Sequence, residues 1–288
     1  MKKTVLLTGS TGFLGNLFIN NFSKKYRILS VGSQEKHITN DIFQYNIDTL
    51  NKNLIDDEFS VVHLATYYSK KKEDESKIRD ANIDFGIKIL NLIKNQNVKK
   101  FIYANTMFCF DKKNKHHYYT NSKNEFSKIL FESMDNKLLS EIYLENTFHY
   151  RDTRKKIVPI IVESIKKNMP NPVLNKEEYF NLTYATDVME VFNKELSVET
   201  FSPKSRVTSE KDINIYSIYE FLLKYNNSNL LDKELLKFTD SRYIKNIDIP
   251  ELNIHYFETD IYKNLLKMFN WARKQYEEKY NNSKFWFC

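Results

Sequence analysis

The chain has 288 residues, enough to bury a full core as one large domain or as a main domain with a smaller attachment. Its 41% hydrophobic and 28% charged residues fit a soluble globular protein, and no apolar run approaches the roughly 18 residues of a membrane span. The net charge of +7 comes from scattered lysines, so a nucleic-acid groove is not expected. The short runs Lys70-Lys71-Lys72 and Lys112-Lys113 read as solvated loops. Two cysteines, Cys109 and Cys288, lie far apart and offer neither a disulfide framework nor metal-ligand spacing. No metal is expected. The chain enters a strand directly instead of a signal peptide, which makes the cytoplasm the simplest compartment.

Val5 to Leu7 reads as a short buried strand, and Phe13, Leu14, Leu17, Phe18 and Phe22 recur with a helical period. Between them stand Gly9, Gly12 and Gly15, three of only five glycines in the chain. That concentration, after a strand and before a helix, is a turn that lets a pyrophosphate approach a helix N-terminus. Gly9, Thr11, Gly12, Phe13, Leu14 and Gly15 are the expected dinucleotide cradle. The spacing G-x-x-G-x-x-G departs from the commoner G-x-G-x-x-G. It resembles the variant in the extended short-chain dehydrogenase/reductase family of nucleotide-sugar epimerases, dehydratases and ketoreductases. The resemblance implies a Rossmann-type doubly wound parallel sheet with a small C-terminal α/β cap that binds substrate. The expected division is residues 1–150 for the dinucleotide-binding domain, rejoined by segments around 180–210, and 151–288 mainly for the cap.

The first helix is expected from about Gly12 to Ser23, and a second strand over Arg27 to Val31. An acidic residue ending that strand would bind a ribose 2′-hydroxyl. Gly32, Ser33 and Lys36 stand there instead, which favours NADP(H) over NAD(H). The resemblance places Asp41-Ile42 at the adenine, with a polar linker following to Asp56-Asp57-Glu58. Ser60 to Ala65 is a third buried strand and resembles the family's V-I-H-L-A-A strand under the cofactor, so Leu64 and Ala65 are cofactor-binding by resemblance. His63, inside an apolar strand, reads as structural. Thr66 replaces the usual second alanine. Tyr67 to Ser76 is a charged surface loop. A long amphipathic helix from about Ile78 to Asn95 follows, and its Asn82-Ile83-Asp84-Phe85-Gly86 resembles the family's N-x-x-G. There the asparagine braces the active-site strand and counts among the cofactor-binding residues, and the glycine permits close packing. Such helices also imply a homodimer.

Lys99 to Thr106 is the next strand, with Thr106 where the family carries its catalytic Ser or Thr. Tyr119-Thr120-Asn121-Ser122-Lys123 follows as Y-x-x-x-K at a helix start, which sets Tyr119 and Lys123 one turn apart on one face. A nearby ammonium lowers a phenol's pKa from about 10 and fits it for proton exchange beside a hydride-carrying nicotinamide. Thr106, Tyr119 and Lys123 are therefore the expected catalytic set. Dehydratases of the family carry Asp-Glu after the Thr; here Met107-Phe108 stand at the substrate and cannot do acid/base work. Cys109 reads as a packing residue.

Glu141 to Phe148 reads as a strand and its exit. Asn146 matches an asparagine that reaches the sugar-nucleotide phosphates in the family. His149 either lines the sugar pocket or belongs to a loop. Tyr179 to Val188 resembles the family's R-D-F-x-Y-V-x-D-V element without its leading Arg-Asp. Arg206, on a strand with Val207-Thr208, is a candidate phosphate contact. Helices are expected from Ile215 to Lys224 and from Asp260 to Lys279.

The expected reaction is NADPH-dependent reduction of the 4-keto group of a nucleotide-linked, CDP-type deoxy sugar. The overall look is nearest to the family's reductases that make CDP-abequose or CDP-paratose. The rival readings are a 4-epimerase that retains NAD, and a dinucleotide-binding regulatory protein without catalysis.

Overall fold

The computed structural model describes residues 2–111, 116–170, 172, 175–199, 202–240, 252–257 and 260–284. Lys112-Lys113 and Cys288 lie outside them. The strands in chain order are β1 (Thr4–Thr8), β2 (Arg27–Gly32), β3 (Lys36–His37), β4 (Phe43–Asn46), β5 (Glu58–His63), β6 (Asn97–Thr106), β7 (Leu139–Leu144), β8 (Asn146–Phe148), β9 (Tyr179–Tyr184), β10 (Lys204–Ser209), β11 (Lys211–Asn214), β12 (Phe238–Asp240) and β13 (Leu252–Phe257). The α-helices are α1 (Phe13–Phe22), α2 (Glu75–Arg79), α3 (Phe85–Ile93), α4 (Tyr118–Ser133), α5 (Ile157–Lys166), α6 (Ala185–Ser197), α7 (Ile215–Ser228) and α8 (Ile261–Lys284).

The chain forms two compact units. The first holds residues 1–145, 188–207 and 248–255, and is built on a sheet ordered β13-β10-β7-β6-β5-β1-β2-β4-β3. Pairing is parallel from β10 through to β4, and β3 turns back antiparallel on β4. The order reverses between β1 and β5, the switch point where open α/β sheets bind ligands beyond the carboxyl ends of their strands. β1 is buried along its whole length, as its continuous apolar run requires of a strand covered on both faces. Leu6, Val31, Val61, Ile89, Phe101, Tyr103, Phe126 and Leu139 belong to this unit's core.

The second unit holds residues 146–187, 208–247 and 256–288. Its four-stranded sheet runs β12-β11-β9-β8, and its core gathers Phe148, Ile161, Leu182, Ile218, Phe221, Leu265 and Phe269. Asn214 caps α7 by accepting the Ser217 amide at 2.9 Å, and Asn229 ends that helix at φ +55°.

Three expectations change. The polar linker after Asp41-Ile42 contains β4, which pairs with both β2 and β3 and whose four residues are too few for the pattern to stand out. The helix expected from Ile78 to Asn95 is α2 and α3 joined by a π-helical turn over Asp80–Asp84. The strand expected from Glu141 to Phe148 divides at Glu145, so that β7 and β8 enter different sheets.

Candidate active site

The glycine turn is built for tightness. Gly9 holds φ +72°, and a Cβ there would lie 2.6 Å from the Ala65 nitrogen. A Cβ on Gly15 would lie 2.1 Å from the Gly9 carbonyl oxygen. Asn16 pins the loop by donating to the Ser10 and Gly12 carbonyls at 3.0 Å each. Thr11 and Gly12 are exposed, Phe13 and Leu14 partly so, and no side chain caps α1 at Gly12. These features fit a pyrophosphate: an open, uncapped helix N-terminus against which backbone can approach closely. Leu64 and Ala65 border the turn. The Leu64 amide donates to the Thr8 carbonyl, and that of Ala65 to the Thr8 hydroxyl.

At the end of β2, a side chain on Gly32 would collide with Gln44, whose Nε2 would lie 2.3 Å from the added carbon. Gln44 is buried and fixed: its Oε1 accepts from Ser10 Oγ at 2.7 Å and its Nε2 donates to the Gln34 carbonyl at 2.8 Å. Ser30 Oγ completes the chain by donating to Ser10 Oγ at 2.7 Å. Ser33 and Lys36 are exposed beside this closed corner.

Asp41 and Ile42, expected at the adenine, precede β4 in the turn of the β3–β4 hairpin. They therefore lie at its amino end, whereas the ligand-facing end of the parallel strands is the carboxyl end. Asn46 and Ile47 occupy that end of β4, with the Ile47 amide on the Gly32 carbonyl at 2.9 Å. They are a second polar–aliphatic pair, set at the carboxyl end of the sheet.

Asn82 is fully engaged within the protein. Its Oδ1 accepts from the Thr66 hydroxyl at 3.0 Å and the Tyr67 amide at 2.8 Å. Its Nδ2 donates to the Tyr67 carbonyl at 3.2 Å and to Ser122 Oγ at 2.9 Å. An amide has no further capacity, so Asn82 braces the β5 exit against α4 and has nothing left for a cofactor. Gly86 lets α3 close on α4, since a Cβ there would meet the Phe126 ring at 2.2 Å.

His63 is wholly buried among Phe85, Phe101, Tyr103 and Phe126, with Nδ1 3.0 Å from the Thr8 hydroxyl. Burial, then the charge of Lys123, lowers its pKa to about 3, so it is neutral.

Thr106 ends β6, nearly buried, and its hydroxyl accepts from the Phe108 amide at 3.3 Å. Tyr119 stands in the first turn of α4 and Lys123 one turn later. Desolvation raises the Tyr119 phenol above its usual value, opposed by a hydrogen bond with Thr66. The Tyr119 ring meets Tyr68 edge-on at 4.8 Å. Lys123 is buried with its Nζ 4.2 Å from the centre of the Tyr103 ring, and burial lowers it to about 7. Cys109 couples electrostatically to both Tyr119 and Lys123, so the turn after Thr106 faces the two. Burial pushes the Cys109 thiol up to about 12, which makes it inert packing. Met107 is buried and Phe108 partly exposed in that turn.

Arg206, expected as a phosphate contact, is instead buried and ion-paired. Its Nε and Nη2 donate to Glu145 Oε1 at 3.0 and 2.6 Å. In the second unit, Asn146 Nδ2 donates to the Asn181 carbonyl at 3.3 Å. His149 in that unit is buried against Tyr150 and Tyr184, and its Nδ1 accepts the Arg151 amide at 3.3 Å. Burial, then Lys267 and Arg151, lowers its pKa to about 4. Among the described residues no cluster of His, Cys, Asp or Glu could hold a metal ion.

A parallel sheet with its order reversed beside a glycine turn defines a Rossmann-type dinucleotide-binding α/β protein. The chain belongs to the NAD dependent epimerase/dehydratase family, which it matches over residues 5–199. It is similar to the CDP-abequose synthase of Salmonella muenchen, with 25% identity over 249 residues, 80% of this chain and 83% of the relative. Among solved structures it resembles UDP-N-acetylglucosamine 4-epimerase from Methanobrevibacter ruminantium M1, with a TM-score of 0.73 and 17% identity over 96% of this chain and 100% of the other. It also resembles the Bordetella bronchiseptica enzyme WbmG in complex with NAD, with a TM-score of 0.73 and 15% identity over 95% of each chain. At such identities these structures speak for the fold alone.

Proposed function

We propose that this protein is a nucleotide-sugar oxidoreductase that uses NADPH to reduce a 4-keto group, on a CDP-linked deoxy sugar. The observation that carries the reading is Tyr119 and Lys123 on one face of α4, with Thr106 at the end of β6 and only Met107-Phe108 after it. The exposed glycine turn would hold the pyrophosphate. Gly32, packed against Gln44, offers no carboxylate to the ribose, which supports NADP(H) over NAD(H). The similarity to a CDP-abequose synthase supports a CDP-sugar.

A bound nicotinamide would supply the hydride to C4. Tyr119 gives its proton to the sugar O4 as the carbonyl becomes an alcohol, and the phenolate recovers a proton from solvent. The Lys123 ammonium stabilises that phenolate, and its hydrogen-bond donors would hold the nicotinamide ribose. The Thr106 hydroxyl fixes O4 by a hydrogen bond. Met107-Phe108 exclude the proton removal and leaving-group protonation that dehydration needs. In the second unit, burial keeps His149 neutral at pH 7. The protein acts in the cytoplasm as a homodimer; among the described residues no helix is long and apolar enough to cross a membrane.

The test mixes the protein with NADPH or NADH and a panel of CDP-, GDP- and dTDP-linked 4-keto sugars, following nicotinamide absorbance. Stoichiometric NADPH oxidation with a CDP-sugar is expected. Inversion at C4 without net coenzyme oxidation would replace this reading with a 4-epimerase. Coenzyme binding without conversion of any sugar would replace it with a regulatory protein.

A further inference from the structure

The face of the first unit's sheet beneath α4 carries a buried carboxylate that the proposed chemistry does not use. Tyr103 on β6 is in register with His63 on β5 and with Glu141 on β7. Partners in register point to one face, so the three side chains stand in a row, with Asn105 and Tyr143 in the next row. Glu141 is wholly buried. Its Oε1 accepts from Asn105 Nδ2 at 2.5 Å and its Oε2 from the Tyr143 hydroxyl at 2.8 Å. Lys123 descends from α4 onto the same row, its Nζ over the Tyr103 ring, and the Tyr103 hydroxyl donates to the Lys123 carbonyl at 3.3 Å. Neither Glu141 nor Lys123 makes an ion pair among the described residues; the buried acid is in register with Tyr103, and the buried base lies over the Tyr103 ring.

The titratable groups facing Lys123 are His63 from β5, Tyr103 from β6, Cys109 from the turn after β6, Glu141 from β7 and Tyr119 from its own helix. His63 is neutral, since its pKa is lowered to about 3. Cys109 at about 12 and Tyr103, raised by burial, are neutral at pH 7. Tyr119 is likewise a neutral phenol. Burial lowers Lys123 to about 7, and the groups opposing that are Cys109 and Glu141; with the thiol neutral, the opposing negative charge is the carboxylate's.

We propose that Glu141 is the buried counter-charge of Lys123: a carboxylate fixed by Asn105 and Tyr143, in register with Tyr103, favours the ammonium form of the lysine in an apolar site. A buried lysine without such a charge sheds its proton. The ring adds a second attraction for the cation. Glu141 is wholly buried and acts through Lys123, so it is a positioning residue. The same network reaches Thr106, since Asn105 Oδ1 accepts the Thr106 amide at 2.8 Å. Its meaning for catalysis rests on the function proposed above. The titration of Lys123 does not, because it needs neither coenzyme nor sugar.

The test titrates the isotope-labelled lysine side-chain resonances of the coenzyme-free full chain by NMR, with Lys123 assigned through Lys123→Arg. The Lys123 midpoint in the unaltered protein is expected near 7. Glu141→Gln is expected to lower it by about one pH unit, a tenfold loss of ammonium above the midpoint. Glu141→Asp, which keeps the charge, should restore most of the shift. An unmoved midpoint in Glu141→Gln overturns the proposal, as does a Glu141→Asp midpoint as low as that of Glu141→Gln, which would make the effect one of shape. If Glu141→Gln fails to fold, Tyr143→Phe serves. Loss of one hydrogen bond to the carboxylate should move the Lys123 midpoint the same way by less, and no movement again overturns the proposal.

Discussion

Arg206→Met removes a guanidinium only 1% exposed from a Glu145 side chain only 3% exposed. Two of its donors, Nε at 3.0 Å and Nη2 at 2.6 Å, converge on one carboxylate oxygen. The remaining carboxylate stays buried and loses that cation, a defect of about 3–5 kcal/mol. At about 2–4 °C per kcal/mol for a chain near this size, melting should fall by about 6–20 °C. Glu145→Leu alone should cost a similar amount. The double variant removes both charges and should recover to within about 1 kcal/mol of the parent, because the desolvation penalty goes with the charges. Thermal and urea unfolding of the four proteins gives the coupling energy. A loss below about 1 kcal/mol in the single variants, or a double variant as unstable as their sum, refutes a buried pair. A functional arm separates this reading from phosphate binding. The double variant should bind a nucleotide sugar as the parent does, whereas a phosphate contact would weaken both Arg206 variants equally.

Tyr119→Phe should reduce turnover by about 100-fold or more while coenzyme affinity, measured by calorimetry, stays unchanged. Unchanged turnover would remove the phenol from proton transfer. Gly15→Ala places a carbon 2.1 Å from the Gly9 carbonyl oxygen, so the turn must open. Coenzyme binding should fall at least tenfold, with a stability loss of about 1–3 kcal/mol, and intact affinity would show that the turn is not the cradle. The pKa of His63 is lowered from 6.5 to about 3, so between those values the unfolded chain binds a proton that the folded chain refuses. Stability contributed by the neutral ring is thus complete above pH 6.5 and is lost as pH falls toward 3, at up to about 1.4 kcal/mol per pH unit. Urea unfolding of His63→Phe across that window should show a shallower pH slope; an identical slope would show that the ring is not kept neutral by the fold.

The strand–glycine–helix start was legible because its residues obey local rules: an apolar run, three glycines and a helical period. His63 was legible for the same reason, as a polar residue within an apolar strand. The residues that failed did so where register decides. Asp41-Ile42 and Asn46-Ile47 are both polar–aliphatic pairs in sequence, and only the hairpin shows that the second pair stands at the carboxyl end of β4. Arg206 looks like a free cation until β10 pairs with β7 and brings it to Glu145. Glu141 sits in a strand pattern with no sign that Asn105 and Tyr143 will meet it. Gln44 closing the corner at Gly32, and Asn82 exhausting its own amide, depend on contacts between distant segments.

The π-helical turn over Asp80–Asp84 acts as a phase shifter. Each residue of an α-helix advances the side-chain direction by about 100°. The extra residue lets α3 keep Phe85 and Ile89 aimed at the core while Asn82 looks toward the β5 exit and Ser122. Excising one residue there would shorten the chain trivially, yet swing the asparagine a quarter turn or more and unhook two segments from each other. For this helix, indels count as angular lesions.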